Sequence, residues 1–534
     1  MNHNKKARWV VRIGGTVVGI SLALHALIVQ AEDNQTPAIA RFEITRFDVQ
    51  GNTLLADPDV TQILTPYVGK DKDFGSVQQA LEVLEAAYRK KGYSLVHVVL
   101  PEQELNHGVV TLKVIETKIG KISVSGNQFF DDANIKASLP TLQVGHTPDM
   151  AQLSANLKVA NEDPAKKTTM QLQSAEQDGF VNANLNVVDE KPWSGTIGVD
   201  NTGDDITGRN RLTATVQNAN VGGWDHVFSM QYTTSFANPN DVKVFGLGYH
   251  IPLYALTDSL DFYGSYSNVN SGTVTAGVFD VAVSGSGTSF GARYNHNLLR
   301  VGDYNSTLTG GLDIKTFRND ETVSDLPIGS DVEVHPLSLT YTGNWTVTGI
   351  TANFYLTAVR NISGGANSSA ADFTAARAGA TPDYSLLRYG ASYMYALPLD
   401  WQFRFALNGQ LTSDALVQGE EFGAGGANSV RGFTEREIAD DKGRTTNLEL
   451  YTPNMCSGSQ LCRLLGFYDT GYVKSNDPLP GEIVQESIGS VGLGWRFTSS
   501  PYLQWQTDVA HVVDASTVTD KGSNRVHFKV VVTF

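Results

Sequence analysis

The sequence predicts a membrane all-β barrel of about sixteen antiparallel strands, preceded by two small α+β domains. One observation is the end of the chain, where residues 525–534 alternate between an apolar face and a mostly polar face. A soluble sandwich could contain such a strand, but the pattern recurs upstream at the length a bilayer-crossing strand needs. The other observation is a repeat, since VQGN at 49–52 returns as VSGN at 124–127. The apolar face of the last strand consists of Val526, Phe528, Val530, Val532 and Phe534.

Composition is compatible with a barrel and argues against one class of partner. The chain has 534 residues, enough for more than one domain, with 41% hydrophobic residues and a mean hydropathy of -0.18. These values resemble those of a soluble protein, but half of each barrel strand is polar, so they do not exclude a barrel. The net charge of -15 argues against a nucleic-acid partner, because phosphates attract basic surfaces.

The N-terminus has the features of a secretory signal. Basic residues precede an apolar stretch at about 13–29, and small residues suit cleavage before Glu32. We expect a signal peptide at 1–31 and a short N-terminal segment at 32–40, with a membrane anchor as the alternative. Either way the rest of the chain leaves the cytoplasm, so we expect Cys456 and Cys462 to bridge one short loop.

Residues 41–191 contain a mixed pattern of predicted helices and strands, and this pattern occurs twice. In the first copy, helices are predicted to begin at Asp57 and at Ser76, the second with Gln79 completing a capping box. Two unrelated α+β domains are the alternative to a repeat. The predicted strands of the first copy are 44–49, 94–100 and 109–115. The second copy is predicted to contain strands at 119–124, 168–174 and 180–188, helices near 132–139 and 148–160, and a solvated loop at Lys166-Lys167.

From Trp193 onward the alternation continues and we find no convincing helix. Short connections, such as 221–223, 397–399 and 499–501, are interleaved with long ones. Bacterial outer-membrane barrels have this asymmetry between periplasmic turns and outer loops, and an even number of strands returns the C-terminus to the periplasm. The long connections lie at about 268–285, 318–333, 361–385 and 412–443.

Two motifs in this segment contain the candidate functional residues. The longest outer loop reads Val-Arg-Gly-Phe at 430–433, and a later strand reads Phe-x-Asp-x-Gly at 467–471. An aspartate facing lipid is costly, so Asp469 should face the lumen. A carboxylate there needs a partner, and a guanidinium can meet it through two parallel hydrogen bonds. Gly432 lets the backbone turn sharply beside the arginine. The candidates are Val430, Arg431, Gly432 and Phe433 in the loop, and Phe467, Asp469 and Gly471 in the strand.

The two motifs and the repeated β-α-α-β-β order resemble the transporters of two-partner secretion, the TpsB family. The resemblance implies a POTRA domain at 41–117, a second at 118–191 and a transmembrane barrel at 192–534 with Phe534 as its C-terminal signal. It also implies that the loop folds back into the lumen and that Arg431 pairs with Asp469. The barrel would lie in the bacterial outer membrane with the POTRA domains in the periplasm.

The resemblance also implies a function. The POTRA domains would recognise an unfolded exoprotein of haemolysin, adhesin or hemopexin-binding type, and the barrel would secrete it and in some members activate it. Folding outside the cell would give the movement its direction. Further partners would be outer-membrane lipid, and the barrel assembly machinery and periplasmic chaperones during biogenesis. No nucleic acid, cofactor or metal is expected.

Other functions stay open at this stage. An insertase of the same superfamily is the first alternative, although insertases usually carry more POTRA domains, and a passive porin is the second. An enzyme is not expected, because the eleven histidines are scattered without ligand spacing. TpsB members often have an N-terminal plug helix, yet residues 32–41 are too few for a helix and a linker. The plug is therefore in doubt.

Overall fold

The computed structural model describes residues 40–534 except for 270–271, 277–278, 284–285, 319–321, 324–325, 328–329 and 500–501. The expected signal peptide at 1–31 and the segment 32–39 lie outside the described residues, as do two residues of the predicted turn at 499–501. No helix in the described part of the chain is long and apolar enough to cross a membrane.

The first α+β unit, domain 1, is built from seven elements. In chain order they are β1 (Phe42–Ile44), β2 (Arg46–Gln50), α1 (Asp57–Leu64), β3 (Gly69–Lys72), α2 (Phe74–Lys90), β4 (Val96–Val99) and β5 (Val109–Glu116), with a 3-10 turn at Thr65–Tyr67. Strands β2, β5 and β4 form one sheet, in which β2 and β5 are parallel, and β1 pairs with β3. Apolar side chains of both helices pack on this sheet, among them Leu64, Leu84 and Tyr88.

Helix α2 begins earlier than predicted. Its N-cap is Asp73, whose Oδ1 accepts the backbone N–H of Ser76 at 2.8 Å, and the Ser76 side chain completes the capping box. The predicted box of Ser76 with Gln79 was therefore wrong, because an aspartate stood one turn earlier and is the stronger cap. The predicted strand at 44–49 is likewise two strands, β1 and β2, divided at Thr45.

The second unit, domain 2, has the same order without the short extra pair. Its elements are β6 (Lys118–Ser125), α3 (Asp132–Ala137), α4 (Met150–Ala160), β7 (Lys166–Ser174) and β8 (Phe180–Asp189). The repeated motif has the same conformation in both domains. Gly51 and Gly126 have φ of 84° and 87°, where a Cβ would clash with a carbonyl of the neighbouring strand. Asn52 and Asn127 each donate from Nδ2 to a carbonyl three residues on, at 2.8 and 2.9 Å.

The prediction of a solvated loop at Lys166-Lys167 was wrong. Both residues begin β7, and the Lys166 side chain is buried in an ion pair with Asp225 of the barrel, whereas Lys167 is exposed. A lysine is buried only where an anion accompanies it, and here the anion lies 59 residues away in sequence. The sequence around Lys166 therefore could not show that this lysine is buried in an ion pair.

The remaining chain forms the barrel wall and the hairpins between its strands. In chain order the elements are β9 (Trp193–Asp200), β10 (Arg211–Val221), β11 (His226–Ser235), β12 (Val244–Leu253), β13 (Asp258–Ser267), β14 (Gly272–Ala276), β15 (Phe279–Val283), β16 (Ser286–Asn297), β17 (Tyr304–Arg318), β18 (Thr322–Val323), β19 (Leu326–Pro327), β20 (Val332–Val334), β21 (Pro336–Val347), β22 (Ile350–Asn361), α5 (Ala370–Ala376), β23 (Ser385–Ala396), β24 (Gln402–Leu411), β25 (Phe422–Ala424), β26 (Ile438–Asp440), β27 (Lys442–Tyr451), β28 (Gln460–Lys474), β29 (Gln485–Ser499), β30 (Leu503–Asp514) and β31 (Asn524–Thr533).

Sixteen antiparallel strands close the wall, which confirms the predicted fold class and count. Strands β20 and β21 both pair with β17 and are two parts of one strand interrupted at His335. The pairs β14–β15, β18–β19 and β25–β26 are separate hairpins in the long connections. The barrel closes where β31 pairs with β9, from Lys529 opposite Asp200 to Thr533 opposite Thr196.

The alternation of side chains follows the wall as predicted. Val526 and Val532 in the last strand, and Phe534 directly after it, are exposed on the outer surface, whereas His527 is buried in the lumen. The same division in β28 leaves Tyr468 exposed and buries Asp469. The prediction of no helix after Trp193 was wrong at α5, whose seven residues are too few to show a helical period.

Candidate functional site

The connection between β24 and β27, residues 412–441, enters the barrel; we call it the lumen loop. Its strands β25 and β26 pair from Phe422 opposite Asp440 to Ala424 opposite Ile438. The tip beyond this hairpin carries Val430 and Phe433, both buried against strand residues of the wall. The predicted loop motif is thus at the innermost part of the loop.

Arg431 and Asp469 form the contact at the centre of the lumen loop's tip. The guanidinium Nε lies 2.6 Å from Oδ2 of Asp469, and Nη2 lies 2.7 Å from Oδ1, so both carboxylate oxygens are bound. The backbone N–H of Arg431 also donates to Oδ2, at 3.2 Å. The Asp469 side chain has no exposed surface, and the Arg431 side chain is 4% exposed.

Three more side chains of the wall contact the same guanidinium. Nη2 lies 2.8 Å from Oε1 of Glu449, and Nη1 lies 3.5 Å from Oδ1 of Asp508. The ring of Phe467 lies under the guanidinium, with 3.6 Å between Cζ and the ring centroid. Arg431 therefore has three carboxylates at its edge and an aromatic ring on its face, which is the arrangement that suits a planar cation.

The surplus negative charge around Arg431 is neutralised by two further arginines. Arg404 donates to Glu449 at 2.9 Å, and Arg496 donates to Asp508 at 2.9–3.0 Å. The cluster then holds three guanidinium groups and three carboxylates. Because burial of an ion is costly unless it is paired, this balance allows the cluster to stay in the lumen.

Backbone contacts and small residues fix the position of the tip. Gly432, at φ 98°, donates its N–H to Nε2 of His527 at 2.9 Å, so that nitrogen carries no proton. Asn447 donates to the carbonyl of Ser429 at 2.6 Å and to Asp469 at 2.8 Å. Gly471 leaves room for the tip, because a Cβ there would lie 3.0 Å from Cγ2 of Val430.

The lumen loop is also bound to the other side of the barrel. The buried carboxylate of Glu420 accepts from Lys315 of β17 at 2.8 Å and from Arg388 of β23 at 2.7 Å. The tip is held by β27, β28, β30 and β31, so the loop crosses the lumen from one side of the wall to another. It therefore obstructs the pore.

A third contact ties the lumen loop to the outer connection that contains α5. Arg377 lies 2.5 Å from Asp441, 2.8 Å from Glu421 and 3.6 Å from Asp440. The ligand atoms of these three acids lie within 4.8 Å of one another, a spacing at which a metal ion could bind. The guanidinium already lies among them, so the acids serve as its binding site.

A cavity remains where the lumen loop does not fill the barrel. Its volume is about 610 Å³, and its wall side is formed by small polar residues of the first strands, such as Thr196, Thr213 and Thr233. The loop contributes Gly425 and Arg436 to the opposite side. The open part of the lumen thus lies along β9–β11 and β31.

Cys456 and Cys462 form a disulfide outside this site, as expected. Only Cys456 lies in the turn between β27 and β28, because Cys462 is the third residue of β28 itself. Arg463 next to it forms two hydrogen bonds to the carboxylate of Asp400 in the neighbouring turn, at 2.9 and 3.0 Å. The bridge and this pair hold the end of the strand that carries Asp469.

The structure brings together the seven motif residues predicted from sequence and adds others. Glu449, Asp508 and His527 were missed because each lies on a different strand in a segment without a motif. The alternation of side chains along a strand assigns such residues to the lumen face, but it does not show which of them will contact the lumen loop. Glu420 and Asp441, inside the loop, offered a signal, since an acid in a loop that folds inward needs a cation.

Comparison with known proteins places this arrangement in a family. The family described as "Haemolysin secretion/activation protein ShlB/FhaC/HecB" matches residues 181–497, and "POTRA domain, ShlB-type" matches residues 42–117. The heme/hemopexin transporter protein HuxB of Haemophilus influenzae is 23% identical over 492 residues, which cover 89% of this chain and 84% of that protein. The outer membrane transporter CdiB of Dickeya dadantii is 23% identical over 411 residues, 77% of this chain and 72% of that protein. The solved structure of CdiB from Escherichia coli has the same fold, with a TM-score of 0.73, 18% identity, and coverage of 95% and 93%.

We expect Gly471→Val to displace the lumen loop without unfolding the barrel. The added side chain would enter the space of Val430 and of Ala424, because even a Cβ at residue 471 would lie 2.9 Å from the Cβ of Ala424. Protease cleavage of the loop on intact cells should increase. Gly466→Val is the matched control, because Gly466 is in the same strand and a Cβ there meets nothing within 4 Å. Equal cleavage in both variants would contradict the docking role of Gly471.

Proposed function

The chain belongs to the ShlB/FhaC/HecB family of haemolysin secretion/activation proteins, and on that premise we propose that the lumen loop is the gate through which it secretes its partner. The protein is an outer-membrane transporter that secretes an exoprotein, with its POTRA domains in the periplasm. The observation that supports this proposal is the burial of Arg431 against Asp469 at the tip of a loop that crosses the lumen.

The ion cluster suits a gate because it is specific and can still open. Removing one partner of a buried ion pair typically costs about 3–5 kcal/mol, since the other charge is left unpaired. Separating both partners into water costs much less, because hydration of the two charges offsets their lost attraction. The Arg431 cluster therefore defines one closed position of the lumen loop, and it releases the loop when water and a passing chain enter the lumen.

The partner is a secreted exoprotein that reaches the periplasm unfolded. Domains 1 and 2 would bind it by adding one of its strands to an exposed sheet edge, which gives affinity through main-chain hydrogen bonds with little sequence demand. The relative named as a heme/hemopexin transporter supports a partner of hemopexin-binding type, and the family description supports one of haemolysin type. A partner of adhesin type stays a prediction. Folding of the partner outside the cell would give the movement its direction, with no chemical step catalysed by the transporter.

Biogenesis adds further proposed partners. We propose that the barrel assembly machinery recognises the aromatic side chain of Phe534, which is exposed at the closing seam beside Gly195. Periplasmic chaperones would accompany the chain before insertion.

We expect the finished transporter to serve one exported partner rather than outer-membrane proteins in general, which distinguishes it from an insertase. Depletion of the transporter should remove the partner from the medium and leave other barrels in the membrane.

Arg431→Ala should abolish secretion while the barrel stays in the membrane. The lumen loop would lose its anchor and Asp469 its partner, and we expect export to fall at least tenfold, as an estimate from the roughly 3–5 kcal/mol cost of an unpaired buried charge. Arg431→Lys should be intermediate, because lysine keeps the charge but not the two parallel hydrogen bonds. Exported partner in the medium is the readout, with heat-modifiable migration as the test for a folded barrel. Normal export by Arg431→Ala would refute the gate.

The three carboxylates around Arg431 should differ in importance. Asp469→Asn should be the most harmful, because Asp469 has two short bonds to the guanidinium and no exposed surface. Asp508→Asn should be mild, since Asp508 lies 3.5 Å away and is paired with Arg496. Export and uptake of a large antibiotic, which reports leakage, are the measurements. Asp205→Asn is the control, because it breaks an exposed arginine pair, with Arg209, in the connection between β9 and β10. An effect of Asp508→Asn equal to that of Asp469→Asn would contradict this order.

A further inference from the structure

We propose that Lys166 and Asp225 are a positioning pair that fixes domain 2 to the base of the barrel, on the side where the lumen is open. The proposal rests on the secretion function, because it assigns the pair a role in delivering the exoprotein to the pore. Its test separates the position of domain 2 from secretion itself.

The pair lies in a buried polar site between the domain and the barrel. Asp225 is in the turn between β10 and β11 and is 2% exposed, and its Oδ2 is in contact with Nζ of Lys166. Asn134 of domain 2 accepts from Lys166 at 2.9 Å and donates to Oδ1 of Asp225 at 2.7 Å. The hydroxyl of Tyr254, in the next turn, donates to Oδ2 of Asp225 at 2.6 Å. The lysine and the aspartate are thus paired across the interface.

Other contacts spread the attachment over three successive turns of the barrel. Asn156 of α4 donates to the carbonyl of Tyr254 at 2.6 Å, and Lys158 donates to Asn297 at the end of β16 at 2.7 Å. Ala219 of β10 is fully buried in the apolar core of domain 2. Contacts at three separate turns resist rotation of domain 2 against the barrel as well as its separation from the barrel.

A buried ion pair fixes orientation better than an apolar contact does. Domains of one chain usually move relative to each other unless their interface is large and apolar. Here the bonds between Lys166, Asn134 and Asp225 tolerate little rotation, because any rotation leaves a buried charge without its partner. Domain 2 and the barrel should therefore move as one body.

The position of the pair relates to the open part of the lumen. The three turns connect strands between β10 and β17, and the cavity of the lumen lies along β9–β11 and β31. At the tip of the lumen loop, Arg431 is paired with β27, β28 and β30, whereas Ser429 lines the cavity and Gly432 donates to His527 of β31 beside it. A chain held by domain 2 would thus meet the barrel below the β9–β11 side of the cavity, away from β27 and β28, which bind Arg431.

Spin labels on the full-length protein in nanodiscs test the position directly. Labels at Glu176→Cys in domain 2 and Tyr502→Cys in the turn between β29 and β30 would report one distance; both side chains are exposed, and the native cysteines are bonded to each other. We expect one narrow distribution in the otherwise unchanged protein and a broad one in Lys166→Met and in Asp225→Asn. Export at equal amounts of folded barrel should fall about tenfold in Lys166→Met, an estimate from the cost of an unpaired buried charge.

A double-variant cycle and a neighbouring lysine provide the controls. Lys166→Met with Asp225→Asn should be no worse than the worse single variant, because both act on one interaction. Lys167→Met should keep the narrow distribution and normal export, since Lys167 is exposed. The proposal is overturned by a narrow distribution in Lys166→Met, by normal export despite a broad one, or by losses that multiply in the double variant. If even the unchanged protein exports no partner, the proposed secretion function is contradicted. The distance distributions would still test whether Lys166 and Asp225 fix the position of domain 2.

Discussion

The closed position of the lumen loop depends on the ion pairs that the Arg431 guanidinium forms with carboxylates of the barrel wall. A buried guanidinium is stable in the lumen only when anions accompany it. Arg431 finds Asp469, Glu449 and Asp508 on three strands and the ring of Phe467 beneath it. The strands must be in correct register for these groups to converge. The ion cluster therefore links the folding of the last strands to the position of the lumen loop.

The lumen loop is held from several directions, and this explains why a single contact cannot describe its closure. Glu420 binds Lys315 and Arg388 on another part of the wall, and Asp441 binds Arg377 of an outer connection. An opening movement must separate charges at each of these places. Hydration can compensate for each separation, so the loop can be released in steps while each intermediate keeps its charges either paired or in water.

The sequence predicted what depends on local pattern and missed what depends on distant partners. Alternation predicted the wall, and the family resemblance carried by the two motifs implied that Arg431 meets Asp469. Lys166 was wrongly predicted to face solvent because its partner, Asp225, belongs to another domain. Glu449 and Asp508 were missed because they lie on strands without a motif, and their partner Arg431 is distant from Asp508 in sequence. Helix α5 was missed because its seven residues are held by the capping box of Ser369 with Asp372 and by Phe373 against Tyr384 rather than by a visible period.

The most direct test of the central claim is to prevent the lumen loop from leaving its site. Asn447 of β27 contacts the backbone of Ser429 at the tip at 2.6 Å, so cysteines at these two positions can be bridged by a short, cleavable thiol crosslinker in a background with serine at 456 and 462. Export by the same variant before crosslinking is the reference. We predict that export stops when the crosslink forms and resumes when it is cleaved. Export that continues with the tip bound would contradict the account.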